Sequence, residues 1–199
     1  GSWQSIIASS NPATLVGKIR FANLDDAKAA LSTIDESYKS GQWANTLWPY
    51  RSAMLVKAAG LMLARRNELS ALIVYEAGKS VSEALADVDE AIDFLNFYAR
   101  TEAYLQRNLK DLTSRGPTAV ISPWNFPLAI PCGMVVSSLV VGNTVILKSA
   151  EQTPLITQVL VDLLHESGVP KDVLIHLPGP GEIVGDYLVR DARISTIVF

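Results

Sequence analysis

The sequence contains few of the residues that build disulfide frameworks and metal sites. It has one cysteine, Cys132, and two histidines, His165 and His176, among 199 residues. A single cysteine excludes an intramolecular disulfide framework and a cysteine-based zinc site, and two histidines disfavour a multi-histidine metal site. No secretory signal-peptide pattern is visible, so we expect a reduced cytoplasmic protein without a bound metal.

The sequence also lacks a strong excess of charge. Charged residues make up 19% of the chain, hydrophobic residues make up 49%, and the formal net charge is −3. The low charged fraction argues against disorder, and the mild acidity excludes a broadly basic surface for nucleic acid. The length allows one or at most two domains with a real core.

One long stretch has no charge at all, between Arg115 and Lys148. A membrane-spanning helix needs about 20 consecutive apolar residues. Helix breakers and polar residues interrupt this stretch at Pro117, Pro123, Asn125, Pro127, Pro131, Gly133, Gly142 and Asn143. These interruptions favour a strand, a loop, a buried helix and a second strand over one spanning helix.

Helical patterns dominate the chain before Arg115. The predicted helices have their start and stop residues at Asn23 and Gly41, at Pro49, at Asn67 and Gly78, and at the Ser80–Glu83 capping box. In the last of these helices, apolar residues from Ala84 to Tyr98 recur at the spacing of one buried face.

After Arg115 the pattern changes to short β-branched runs that alternate with helical segments. Strands are predicted over 119–121, 144–147, 173–175 and 195–199, with helices near 128–141, 155–167 and 182–188. This alternation predicts an α/β fold with a parallel sheet covered on both faces. We expect a mainly helical part over 1–115 and the first βα units of the sheet over 116–199.

Ligands of open parallel sheets bind beyond the carboxyl ends of the strands, so the residues that follow each strand are the candidates for function. The loops that begin at Ser122, Lys148 and Pro178 should therefore lie at one edge. Gly179, Gly181 and Gly185 form a GxGxxxG pattern between a strand and a helix. This pattern suits a diphosphate at a helix N-terminus, but an ordinary tight turn explains it equally well.

Three other residues admit a chemical and a structural interpretation. Lys148 ends a buried strand and would need a partner, either a ligand hydroxyl or Glu151. Asn125 could stabilise an oxyanion through its carboxamide or could only bond its own turn. Cys132 fits a small buried hydrophobic residue better than a nucleophile, because no charged residue or histidine is near it in sequence.

Together these residues resemble the aldehyde dehydrogenase superfamily over nearly the whole chain. The matching motifs are Ile121-Ser-Pro-Trp-Asn-Phe-Pro127, Gly142-Asn-Thr-Val-Ile-Leu-Lys148, Glu151-Gln-Thr-Pro154, Gly168-Val-Pro170 and Leu177-Pro-Gly-Pro-Gly181, preceded by Arg51, Glu76-Ala-Gly-Lys79 and Glu83-Ala84. Residues 87–99 and 127–130 resemble the branch that acts on L-glutamate γ-semialdehyde, also called 1-pyrroline-5-carboxylate dehydrogenase. The short link from Arg100 to Gly116 resembles the version in bifunctional proline utilization A, which has a proline dehydrogenase domain.

The resemblance implies a Rossmann-like NAD-binding sheet and a role for each matching position. The positions that would line the cofactor site are Ile121, Ser122, Pro123, Trp124, Lys148, Glu151 and Gly181. Lys148 and Glu151 would hold the adenosine ribose hydroxyls, and Gly181 would lie beside the adenine and diphosphate. Asn125 would supply the oxyanion-hole amide for the aldehyde.

The resemblance also implies how an amino-bearing aldehyde substrate would be recognised. Phe126 would pack on its aliphatic chain, and Glu90 would meet its α-ammonium group. An aromatic wall for a carbon chain and a carboxylate for an ammonium are chemically matched. Glu90 could equally be a solvated carboxylate on the helix surface.

The chain departs from the family pattern in ways that bear on activity. The family's glutamate general base and its cysteine nucleophile, which forms a thiohemiacetal, have no match here, and Ser149 replaces the usual proline after the lysine. We therefore expect a truncated sheet and an inactive fragment of a homo-oligomeric dehydrogenase. The alternatives are a non-catalytic NAD-binding or assembly domain, and another branch such as succinate-semialdehyde dehydrogenase.

Overall fold

The N-terminal residues form an element that the sequence analysis does not predict. In a computed structural model, which describes residues 1–108 and 112–199, strands β1 (Ser2–Ala8) and β2 (Asn11–Phe21) pair as an antiparallel hairpin. Most residues of both strands are exposed or half-buried, so their sequence lacks the alternation of a half-buried strand. The hairpin thus adds two strands to the part of the chain before Arg115, where the sequence analysis predicts a mainly helical structure and identifies only helices.

Four helices follow the hairpin in the described part of the chain. They are α1 (Leu24–Ser40), α2 (Trp48–Ala64), α3 (Arg66–Ala77) and α4 (Val81–Asn108). The predicted caps of α1 are confirmed: Asn23 accepts the amide of Asp26 in a capping box, and Gly41 ends the helix with a φ of 71°.

The start of α3 differs from its prediction, whereas the start of α4 agrees. Arg65 ends α2 and directly precedes α3, so Asn67 lies inside a helix and does not cap it. At α4, the Ser80 hydroxyl accepts the Glu83 amide at 3.3 Å, and the Glu83 carboxylate accepts the Ser80 amide at 3.2 Å. This reciprocal pair is the predicted capping box.

The second part of the chain forms the predicted parallel sheet. Its strands are β3 (Thr118–Ile121), β4 (Val145–Lys148), β5 (Leu174–His176) and β6 (Thr196–Val198), in the spatial order β5-β4-β3-β6. The connections are α5 (Ala129–Val140), α6 (Pro154–Ser167), and a π-helical turn (Gly181–Gly185) that continues into α7 (Asp186–Arg190). The α/β fold class is confirmed.

The sheet is covered on both faces. Val120 and Leu147 belong to a large buried cluster that also contains residues of α2 to α6, whereas Ala119 and Ile146 pack in a second cluster with residues of α1 and α7. The uncharged strands and α5 thus lie in the protein interior, where a parallel sheet needs apolar side chains on both sides. No helix in the described ranges is long and apolar enough to cross a membrane.

Candidate functional site

The strand order places a crevice at the carboxyl ends of β3 and its neighbours. The chain proceeds from β3 to β4 and β5 on one side, and then returns to place β6 on the other side of β3. Such a reversal of strand order is where open α/β sheets bind ligands. The loop that begins at Ser122 leaves the sheet at this point.

Lys148, Glu151 and Gly181 meet at this edge, although helix α6 and strand β5 separate the first two from Gly181 along the chain. The Lys148 Nζ lies 3.9 Å from the Glu151 Oε1, and the same oxygen accepts the Gly181 amide at 3.0 Å. Lys148 is only 6% exposed, and burial lowers the pKa of its ammonium group. The site therefore offers one cationic donor and one carboxylate acceptor side by side, an arrangement suited to hydroxyl groups.

The end of β3 carries a buried hydroxyl that no described residue satisfies. Ser122 is 7% exposed, and its Oγ has no hydrogen-bond partner within the ranges that the structure describes. A buried polar atom without a partner costs about 1–3 kcal/mol. A polar ligand group at this edge would supply the missing partner.

The glycine pattern separates into three different roles. A Cβ at Gly179 would lie 2.8 Å from a Val184 methyl and 2.9 Å from the Ala22 carbonyl oxygen, so Gly179 is required by protein packing. A Cβ at Gly181 would have only the Glu151 carboxylate nearby, at 4.0 Å, and Gly185 has open space. Of the three glycines, Gly181 is thus the one that faces the candidate cofactor edge.

The ion pair of Lys79 and Asp87 fixes the loop that carries Asn125 and Phe126. Lys79 Nζ donates to the Asn125 carbonyl oxygen at 3.1 Å and lies 3.9 Å from the centre of the Phe126 ring. The same ammonium donates to the Asp87 carboxylate at 3.0 Å, and the other oxygen of Asp87 accepts the Ala129 amide at 2.7 Å. One carboxylate thereby fixes both the loop and the first turn of α5.

The remaining predicted residues are placed as follows. Trp124 is 55% exposed and Phe126 is 41% exposed. Asn125 and Glu90 are exposed, and Ile121 and Pro123 are half-buried. Glu90 lies one helical turn after Asp87 on α4, and both residues are on the same side of the helix.

A second buried carboxylate, Glu76, caps α6 from another element. Its two oxygens accept the amides of Leu155 at 2.6 Å and Ile156 at 2.9 Å. Burial raises the pKa of Glu76 to about 7, although both amides favour its charged form. Glu76 also lines a cavity with Trp124, so this cap adjoins the loop that follows β3.

Sequence reasoning missed Lys79, Asp87 and Glu76 as functional supports. Asp87 falls in the buried stripe of α4, three residues after Ala84 and four before Ala91, and a carboxylate at such a position needs a partner. That break in the apolar pattern is the feature that could have identified it. Its partners are the Lys79 ammonium, eight residues earlier, and the Ala129 amide, 42 residues later, and they are visible only in the folded structure.

Cys132 behaves as predicted. Its side chain is fully buried in α5, its thiol lies 3.6 Å from the Ala91 carbonyl oxygen, and burial raises the thiol pKa well above its usual range. Within the described ranges, no cluster of three or more His, Cys, Asp or Glu side chains is arranged to hold a metal ion.

Comparison with known proteins decides the family. The model of the aldehyde dehydrogenase family matches residues 2–199. The chain belongs to the aldehyde dehydrogenase family. Among curated relatives of this aldehyde dehydrogenase chain, 1-pyrroline-5-carboxylate dehydrogenase 1 of Halalkalibacterium halodurans is 44% identical over 97% of the chain and 40% of the relative.

Solved structures agree with this assignment. Proline utilization A from Bdellovibrio bacteriovorus has a TM-score of 0.94 at 40% identity, over 100% of this chain and 22% of that one. A 1-pyrroline-5-carboxylate dehydrogenase from Thermus with bound NAD has a TM-score of 0.93 at 39% identity, over 98% of this chain and 40% of that one. The aldehyde dehydrogenase chain thus spans about 40% of the length of the curated relatives it matches.

The link between Arg100 and Gly116, which resembles that of proline utilization A, contains residues 109–111, and these lie outside the described residues.

Proposed function

We propose that this chain forms the first part of the NAD-binding domain of a dehydrogenase that oxidises L-glutamate γ-semialdehyde to glutamate. The observation that carries the proposal is the sheet edge itself. There Lys148, which pairs with Glu151 beside the Gly181 amide, ends β4 directly opposite Ile121, the last residue of β3 before the loop of Asn125 and Phe126, at the reversal of strand order. A cofactor group and an aldehyde group would thus meet across one crevice.

The residues at the edge fit the adenosine half of a dinucleotide. Lys148 can donate to the ribose hydroxyls and Glu151 can accept from them, and these charge-assisted bonds offset the burial of the lysine. The unpartnered Ser122 hydroxyl fits a further polar group of the cofactor, and the backbone of Ile121, Pro123 and Trp124 would line its path. NAD, when bound, accepts a hydride from the substrate carbon.

The Asn125–Phe126 loop fits the aldehyde. The Asn125 carboxamide can donate to the oxygen on which negative charge develops, and Phe126 offers an aromatic wall to a short carbon chain. The exposed Glu90 carboxylate, one helical turn after Asp87, fits the α-ammonium group of the substrate. That carboxylate favours an amino-bearing aldehyde over succinate semialdehyde, which has no ammonium group.

We further propose that these 199 residues do not turn over the aldehyde by themselves. Their single cysteine is fully buried, with a raised thiol pKa, so it cannot act as the nucleophile. NADH formation by the purified 199-residue polypeptide, supplied with NAD and the aldehyde, would contradict this proposal.

The architecture and partners are proposals of the same kind. We propose that residues 1–115 and 116–199 are successive parts of one cofactor-binding domain, a division consistent with the buried cluster that they share. We propose a cytoplasmic homo-oligomer, and the similarity to proline utilization A supports its fusion to a proline dehydrogenase domain.

The cofactor proposal is tested by calorimetric titration with NAD. We expect binding, and we expect Lys148→Met to weaken it by about 10- to 100-fold, because a hydrogen bond from a charged group contributes about 1.5–3 kcal/mol. Lys28→Met removes an exposed lysine that pairs with Asp25 on α1, and it should leave NAD binding unchanged. Absence of NAD binding, or equal binding by Lys148→Met, would refute the proposal.

The substrate proposal is tested with Glu90→Ala in the full-length enzyme. We expect a higher KM for L-glutamate γ-semialdehyde and an unchanged KM for succinate semialdehyde, because only the first has the ammonium group that Glu90 would bind. An equal change for both aldehydes would remove Glu90 from the specificity site and would favour the succinate-semialdehyde branch.

A further inference from the structure

A partly buried series of hydrogen bonds joins the loop after β4 to the end of β5. His176, the last residue of β5, has its Nε2 atom 2.9 Å from the Ser149 Oγ and its Nδ1 atom 2.7 Å from the Gln158 Oε1. Ser149 directly follows Lys148 and is fully buried. Ser149 also replaces the proline that usually follows the lysine in the family pattern.

The direction of each proton in this series can be derived. Gln158 donates its amide nitrogen to the Asp162 carboxylate at 2.9 Å, so its carbonyl oxygen faces His176. The His176 Nδ1 must therefore carry the hydrogen that is donated to Gln158. The ring stays neutral because burial lowers the pKa of His176 to about 3, so Nε2 is an acceptor and the Ser149 hydroxyl donates to it.

The order of serine, histidine and carboxamide superficially matches that of a nucleophilic triad, but the burial of the serine excludes that function. Ser149 is 0% exposed, so no substrate carbon can reach its hydroxyl. A neutral carboxamide also cannot stabilise an imidazolium as a carboxylate does. The chain of bonds must therefore serve to fix the position of the elements that it joins.

Those elements carry the proposed cofactor residues. The Ser149–His176 bond ties the first turn after β4 to the end of β5, where the Leu177 amide also donates to the Leu147 carbonyl at 2.8 Å. Further along both loops, the Glu151 carboxylate accepts the Gly181 amide at 3.0 Å. Lys148 and Glu151 thus lie in a segment that is fastened to its neighbour at both ends.

We propose that Ser149 and His176 are positioning residues that fix the Lys148–Glu151 segment and so set the affinity for the adenosine half of NAD. Neither side chain needs to touch the cofactor. The inference rests on the proposed function, in which Lys148 and Glu151 bind the ribose hydroxyls. Loss of the Ser149 hydroxyl would remove one of the bonds that fix the segment without removing any group that is proposed to contact NAD.

The test is Ser149→Ala, with NAD affinity measured by calorimetry and the state of the ring measured by ¹⁵N NMR of the histidines. We expect about fivefold weaker NAD binding, which corresponds to about 1 kcal/mol. We also expect His176 to be a neutral Nδ1–H imidazole whose Nε2 resonance shifts in the variant, while His165 does not change. Ser167→Ala is the matched control. It removes a buried hydroxyl that donates to the Leu164 carbonyl at the C-terminal end of α6, away from the Lys148–Glu151 segment.

Should Ser149→Ala fail to fold, Gln158→Leu tests the same chain of bonds from its half-buried end. It removes the acceptor for Nδ1–H and should also weaken NAD binding, with a change in the His176 resonances. NAD binding that is unchanged in either folded variant would overturn the inference while leaving the cofactor proposal intact. No NAD binding by the unsubstituted protein would overturn both.

Discussion

Glu76 offers the sharpest test of the energetics of this fold, because two effects on it oppose each other. Its burial favours the neutral carboxyl, whereas the amides of Leu155 and Ile156 favour the carboxylate. The balance raises its pKa from 4.5 to about 7. A group with a raised folded-state pKa stabilises the fold below its unfolded-state pKa, and this contribution is lost as the pH rises through the folded-state value.

The perturbation is Glu76→Gln, which keeps the shape of the neutral carboxyl and removes the titration. Between about pH 5 and about pH 8, the free energy of unfolding should fall by about 2–3 kcal/mol more in the unsubstituted protein than in the variant, since each unit of pKa shift is worth about 1.4 kcal/mol. Urea unfolding followed by circular dichroism at several pH values measures this difference.

Glu68→Gln on the same helix is the matched control. Glu68 is an exposed carboxylate whose pKa is lowered by its bond with Arg65, so its removal should not reproduce the loss of stability at high pH. The reasoning about Glu76 fails if, as the pH rises, the free energy of unfolding of the unsubstituted protein increases relative to that of Glu76→Gln. That result would mean that the two amide donors outweigh burial and hold the carboxylate charged.

Three further predictions follow from the packing of single residues. Gly179→Ala should destabilise the protein by about 1–3 kcal/mol because of its backbone clash, whereas Gly185→Ala, with open space, should be neutral or stabilising; thermal melts of both variants would decide. Lys79→Met should cost about 3–5 kcal/mol by leaving the buried Asp87 carboxylate without its ion partner, and an unchanged urea midpoint would contradict this. Cys132 should react with a thiol reagent only after unfolding, so rapid labelling of the native protein would disprove its burial.

The residues of the candidate edge could be predicted from sequence because their position follows from chain order. Parallel strands all end on one side, so residues directly after β3, β4 and β5 must share an edge. Chain order therefore predicts Lys148 and Gly181 at this edge, and a spacing of three residues predicts the capping box of Ser80 and Glu83. The prediction of Asn67 as a cap is wrong because α2 and α3 meet at Arg65 without the loop that an asparagine suggests.

What the sequence alone determined was the kind of element at most places after the N-terminal hairpin, the shared edge of the loops and the inert character of Cys132. These properties depend on local periodicity and on composition, which the chain carries at every position. The tertiary structure alone decided which distant groups meet: Lys79 with the loop at Asn125, Glu76 with the start of α6, and Ser149 with His176. The physical reason is that the packing of helices on the sheet selects these partners, and no local pattern encodes a bond between residues 27 to 79 positions apart.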